Sequence, residues 1–195
     1  FKAEKSQYML QNDSNNLVVK LTGKGASGLD IQKIFTFKRG SYAIDVTYQL
    51  TNDTSSPWVG YMNTQVQRKQ PKQEKSSPFY MNSYTGASYS NPGHHRYQKV
   101  SFKDMDKSPL DVNVEGGWLA MQQHYFLTAW IPSVNETARF YSRASAGNYA
   151  IGAVTQPIKI APGQTGNVSS TLYTGPEVAD NLKALSPGLD LTIDY

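Results

Sequence analysis

The sequence predicts an all-β protein closed by one short C-terminal helix, and three observations carry that reading. Apolar and polar residues alternate with a period of two from Tyr42 to Leu50. Thirteen Tyr, seven Phe and three Trp, with many Val and Thr, favour pleated half-buried surfaces. Fifteen Gly and ten Pro punctuate the chain into short segments at turn spacing, the pattern of a sandwich.

In chain order, Leu17 to Thr22 reads as a strand running into a Gly-rich turn. Ile34 to Lys38 and Tyr42 to Leu50 form a hairpin across Arg39-Gly40-Ser41. Trp58 to Gln67, Gln98 to Phe102 and Leu110 to Glu115 are further strands. Residues 68–97 are rich in Pro, Ser, Gly and Asn and read as a long excursion, with one short strand near Tyr84 to Tyr89. Beyond Gly116-Gly117, strands are expected at Trp118 to Met121, Tyr125 to Ile131, Phe140 to Arg143, Ala150 to Thr155, Ile158 to Ile160 and Val168 to Tyr173. The helix is expected over residues 176–186. Pro176 suits a first helical position, Glu177 a first turn, and Val178, Leu182 and Leu185 make one apolar stripe before Pro187-Gly188. So short a helix must dock on something, either to cover a sandwich edge or to present a surface to a partner.

At 195 residues the chain reads as one domain, long enough to bury a core without disulfides or metal. It has no cysteine, which excludes a disulfide framework and thiolate zinc sites but does not fix the compartment. No apolar run approaches the roughly 20 residues of a membrane-spanning helix. The net charge of +4 is mild, and much of it sits at Arg68, Lys69, Lys72 and Lys75. A solvated loop is the plain reading of that stretch, with weak attraction to anionic lipid as the functional one. The aromatic residues are not interleaved with it, which argues against nucleic acid.

Motifs for chemistry are few. Gly23-Lys24-Gly25-Ala26-Ser27-Gly28 is a literal G-x-G-x-x-G, but strand rather than helix follows it, so it reads as a hairpin turn. His94 and His95 are adjacent and cannot converge on one metal from extended chain, so they are expected at the surface. His124, entering an aromatic strand, is expected half-buried and hydrogen-bonded. Sequons at Asn12, Asn52, Asn135 and Asn167 are short enough to arise by chance. No catalytic, cofactor-binding or metal-ligating residue is assigned.

The second half carries a more specific signal. Gly116-Gly117-Trp118-Leu119-Ala120-Met121-Gln122-Gln123-His124-Tyr125-Phe126-Leu127-Thr128-Ala129-Trp130-Ile131-Pro132 resembles a signature of the periplasmic domain of the YidC membrane protein insertase family. Pro162-Gly163-Gln164-Thr165-Gly166, Tyr173-Thr174-Gly175-Pro176-Glu177 and Leu189-Asp190-Leu191-Thr192-Ile193-Asp194-Tyr195 are similar to it in the same order. So is the hairpin Phe35-Thr36-Phe37-Lys38-Arg39-Gly40 with Tyr42-Ala43-Ile44, and more loosely Tyr84 to Ser90. Residues 53–82 and 133–148 resemble it poorly.

The resemblance implies a β-supersandwich of galactose-mutarotase type, lying in the periplasm between the first two helices of a bacterial inner-membrane protein. It also implies strands preceding Phe1, and hence an edge open to pairing between chains. The implied role is non-catalytic: assisting insertion and folding of inner-membrane proteins through contact with Sec translocase components, nascent chains or the insertase's own membrane core. On that basis Pro176, Glu177, Val178, Leu182 and Leu185 are expected to form a docking element. Tyr61, Tyr89 and Trp118 are expected to line an aromatic groove for an extended peptide. A carbohydrate-binding or mutarotase-like domain and a passive spacer are the alternatives.

Overall fold

The computed structural model describes residues 1–70 and 83–194. Its strands, in chain order, begin with β1 (Lys2–Ala3), β2 (Asn16–Lys24), β3 (Asp30–Lys38), β4 (Ala43–Thr51) and β5 (Trp58–Gly60). Next come β6 (Asn63–Lys69), β7 (Gly86–Asn91), β8 (His95–Val100), helix α1 (Phe102–Lys107), β9 (Asp111–Glu115), β10 (Trp118–Gln123) and β11 (Phe126–Pro132). The chain continues through β12 (Thr137–Ser145), β13 (Asn148–Thr155), β14 (Ile158–Ile160) and β15 (Thr165–Pro176). Helix α2 (Ala179–Leu185) and a 3-10 helix (Leu189–Thr192) end it. The mostly-β architecture with a short C-terminal helix is the one the alternation and turn spacing predict. None of the helices among the described residues is long and apolar enough to cross a membrane.

These elements group into two compact units, residues Phe1–Met62 with Thr155–Tyr173, and Asn63–Val154 with Thr174–Tyr195. In the first, antiparallel strands run in the order β1-β2-β3-β4-β15. The predicted hairpin is there in register, Phe35 opposite Val46 and Phe37 opposite Ile44. Leu17, Val19 and Leu21 of β2 pair with Phe37, Phe35 and Lys33, so one face of the sheet is largely apolar. The β5–β14 pair adds a small core of Leu29, Leu50 and Ile160. The G-x-G-x-x-G stretch is the β2–β3 turn, closed by Gly25 N donating to Leu29 O at 2.8 Å. Asn52 of its sequon is fully buried, its Nδ2 donating to Ser56 O and Ile160 O and its Oδ1 accepting from Thr54.

The second unit is a sandwich. One sheet runs β11-β10-β7-β8 and the other, four-stranded, β6-β13-β12-β9. Their facing side chains, among them Tyr89, Leu119, Met121, Phe140 and Ile151, form its core. Burying each such side chain is worth about 1.5–3 kcal/mol.

Three expectations are corrected. The sequence predicts strand over residues 98–102, but β8 ends at Val100 and α1 starts at Phe102. Ser101 Oγ accepts from Asp104 N, and the Asp104 carboxylate accepts from Ser101 N, a capping box. Phe102 and Met105 then turn into the core, Phe102 stacking on Tyr149 at 4.4 Å. The C-terminal helix begins at Ala179 rather than 176, because Pro176 closes β15 and Val178 is the N-cap residue. His124 is exposed rather than half-buried, although its Nδ1 does meet Ser83 Oγ at 2.6 Å.

Candidate docking site at the C-terminal segment

The residues after β15 lie against β8, β10, Tyr125 and the loop before β7, all within the second unit. The entry is fixed by backbone: Glu177 N donates to Tyr125 O at 3.0 Å. Leu182 of α2 is wholly buried, Leu185 half-buried, and Val178 43% exposed, so the predicted apolar stripe points inward at one end only. A left-handed Gly188 (φ 83°) then reverses the chain into the 3-10 helix. A Cβ at that position would sit 2.8 Å from Arg96 O, so glycine is required by both conformation and contact with β8.

Polar groups complete the attachment. Trp118 in β10 is fully buried, and its indole Nε1 donates to Pro187 O at 3.2 Å. Gln122, two turns of the pleat further along, is 1% exposed. Its Nε2 donates to Thr192 O at 2.7 Å while its Oε1 accepts from Tyr97 OH at 3.1 Å. Thr192 Oγ1 donates to Leu189 O, which closes the 3-10 turn. The Asp194 carboxylate accepts from Tyr84 N at 2.7 Å and faces Lys99 Nζ at 3.7 Å. The Gln122 bond to Thr192 O lies where water is excluded, whereas the Asp194 contacts are open to solvent.

Electrostatics mark the same place. Burial, joined by the nearby Asp194 carboxylate, raises the Glu177 pKa to about 7. Burial also pushes the Tyr97 phenol up to about 12, although its bond to Gln122 works the other way. Tyr84 is raised further, mainly by burial. Two carboxylates, Glu177 and Asp194, and two half-buried phenols, Tyr84 and Tyr97, thus lie around this end of the chain.

The expected groove residues part company. Tyr61 is 61% exposed in the first unit, while Tyr89 and Trp118 belong to the interior of the second, at 8% and 0% exposure. Neither of the latter can line an open groove. Gly117, with φ 70° and Ser90 O 2.2 Å from where a Cβ would stand, tucks β10 against β7 and draws Trp118 inside. Trp118 is instead the floor under the C-terminal segment, a role that its signature position could not reveal. A separate concavity of about 490 Å³ opens on the four-stranded sheet among Asn63, Leu110, Asp111, Arg139, Tyr141 and Arg143. Its carboxylate, Asp111, is paired with Arg139 at 3.1 Å. Among the described residues there is no cluster able to hold a metal ion.

The YidC periplasmic domain model matches residues 1–195. The chain belongs to that family. Curated relatives agree with the membership. A membrane protein insertase YidC of Legionella pneumophila (strain Paris) is 54% identical over 195 residues, and one of Coxiella burnetii (strain RSA 331 / Henzerling II) is 44% identical over 201. Each alignment takes in 100% of this chain but 35% of the relative, so the YidC periplasmic domain here spans about a third of such a protein. Among solved structures, a galactose mutarotase-like protein from Lactobacillus casei aligns with TM-score 0.53 at 9% identity, covering 86% of this chain and 72% of its own. A galactose mutarotase related enzyme from Lactobacillus acidophilus gives 0.53 at 6%, with coverages of 87% and 71%. At such identities the likeness is one of fold, which agrees with the expected mutarotase-type β-supersandwich.

Proposed function

We propose that this YidC periplasmic domain is the non-catalytic accessory part of an inner-membrane protein insertase, and assists insertion and folding of inner-membrane proteins by contact. The observation that carries the reading is the C-terminal segment, seated on the sandwich by Trp118, Gln122 and Tyr84. A segment held this firmly moves with the folded body it is seated on, so a contact made by either is felt by both. Within the docking element, Leu182 and Leu185 secure α2 to its own domain. Pro176 and Glu177 set its angle of entry, and the exposed Val178 is the side chain offered outward. Its partners on this reading are Sec translocase components, nascent membrane proteins and the insertase's own membrane core.

Photocrosslinking in living cells, with the probe at Val178 and at Tyr61 of the full-length parent protein, tests the proposal. Adducts with Sec subunits or nascent inner-membrane proteins are expected at Val178. Adducts confined to the parent chain at both positions would leave only the spacer role.

A further inference from the structure

We propose that the concavity on the four-stranded sheet is a binding site for a carboxylate carried on a small apolar body, taken up by Arg143, Arg139, Asn63 and Ser142. It lies on a different part of the second unit from the C-terminal segment and does not rest on the contact role.

The side chains of β12 and β6 bond to one another in a way that uses their acceptors and leaves donors free. Tyr141 OH shares its proton between Asn63 Oδ1 at 2.7 Å and Gln65 Oε1 at 3.0 Å. Arg143 Nη2 donates to the same Gln65 Oε1 at 3.2 Å, which fixes the way that amide faces. The Asn63 Nδ2 is left without a partner among the described residues. Ser142 adds a hydroxyl in a residue only 5% exposed. Its Oγ accepts from Leu110 N at 2.7 Å, and its own proton has no acceptor among the described residues. Arg139 lies over the Tyr141 ring at 6.0 Å and meets Asp111 Oδ1 through Nε at 3.1 Å, an exposed pairing that occupies part of a many-donor group. A cradle of this kind suits a ligand that brings acceptors. Gly152 makes it possible. A Cβ there would stand 2.6 Å from the Tyr141 Cζ and hydroxyl oxygen, so β13 has to be bare for the ring to cross it and reach β6.

Charge selects among anions. Two guanidiniums and the Asp111 carboxylate leave the lining at +1 (2 − 1), which a monoanion neutralises. A phosphate monoester, mostly a dianion at neutral pH, would exceed that charge and meet Asp111 as well. A carboxylate also fits a guanidinium in a planar pair of hydrogen bonds. Pro109, Leu110 and Val154 complete the lining, so apolar carbon next to the carboxylate is covered too, and about 490 Å³ is the scale of a small-molecule site.

The carboxylate can arrive on a free acid or on a side chain of a polypeptide, and the test has an arm for each. The isotope-labelled 195-residue chain is titrated with hexanoate, hexanamide, inorganic phosphate and the capped tripeptide acetyl-Val-Glu-Val-amide, and the side-chain amide signal of Asn63 is followed by NMR. Hexanoate is expected to move that signal saturably at millimolar concentration, and hexanamide to leave it in place. Tighter binding of the tripeptide than of hexanoate assigns the site to a polypeptide carboxylate; the reverse order assigns it to a free acid. Arg143→Gln should weaken hexanoate binding roughly tenfold by removing a charged partner. Asp111→Asn should tighten it about threefold, because Arg139 is released and the competing charge is gone. Both residues are exposed, so neither change threatens the fold, and opposite effects from the two separate a site from a general disturbance. An unmoved Asn63 signal with hexanoate, equal binding of hexanamide or phosphate, or an affinity unchanged in Asp111→Asn overturns the proposal.

Discussion

Replacing Gln122 with Met keeps the side-chain volume and removes both hydrogen bonds, which isolates the polar clamp from the packing around it. Thr192 O loses its donor in a residue that is 1% exposed, and a buried acceptor left unpaired costs about 1–3 kcal/mol. Tyr97 OH loses its acceptor too, but Tyr97 is only half-buried and regains water, so it adds a smaller amount. The expected loss is about 2–3 kcal/mol, concentrated in the last turn of the chain. Urea unfolding followed by tryptophan emission, to which Trp118 beneath the segment contributes, gives the total. Hydrogen exchange at residues 188–194 shows where it falls, because a segment that opens on its own exchanges faster than the core. A loss under about 0.5 kcal/mol with unchanged exchange in that segment would refute the clamp. Thr192 and Tyr97 would then find equivalent partners, and the bonds through Gln122 would not be what holds the segment.

Glu177→Gln should stabilise the domain near pH 8 by about 1 kcal/mol once screening on its open side is allowed for, with no effect near pH 4. The folded pKa is raised to about 7 from the ordinary 4.5, so the folded state binds the extra proton. Stability from this group therefore falls as pH rises through that window, and thermal midpoints of both proteins across the range measure it. Gly188→Ala should cost at least about 1–2 kcal/mol for the left-handed backbone, with the approach to Arg96 O adding to it; denaturation midpoints would show the loss. Ser101→Ala should cost about 1 kcal/mol by removing the α1 cap, read by the same unfolding assay. Titration calorimetry with free hexoses in the millimolar range should give no specific heat, since the mutarotase likeness is one of fold; saturable binding would revive the carbohydrate reading.

The strands were legible because their signal is local. Alternation over Tyr42 to Leu50 is a period that only a half-buried strand needs, and the register of Phe35 and Phe37 against Val46 and Ile44 follows from one Gly-containing turn. What misled was chemistry whose meaning depends on distant partners. Pro176 has the credentials of a helix start, yet β15 runs 12 residues and ends on it, where the missing N–H costs the sheet nothing more. Ser101 and Asp104 spelled a capping box three residues apart, masked by a strand-like run of Val100 and Phe102. Trp118 and Tyr89 were placed at a surface because aromatic residues suit peptide grooves. Tyr89 is buried by the second sheet and Trp118 by the C-terminal segment, neither of which a local window contains.

The same limit explains why the docking site was found in outline but not in detail. The sequence marks residues 176–186 as something that must pack, since a helix so short cannot stand alone. It does not say that the packing surface is β10, some 60 residues earlier, because nothing near Trp118 or Gln122 refers to Pro187 or Thr192. Those bonds, separated by |i−j| of 69 and 70, nonetheless make β10 and the C-terminal segment one mechanical unit. The hairpin that begins at β10 also carries Tyr125 and Phe126 at its tip and receives Glu177 N at Tyr125 O. A force at that tip would therefore reach the C-terminal segment through Glu177 at one end and Gln122 at the other. The coupling is physical only if both ends hold, so Gln122→Met should weaken the effect of a probe bound at the tip on exchange at residues 188–194. If exchange there responds to the tip equally in both proteins, the hairpin and the segment are neighbours without being linked through Gln122.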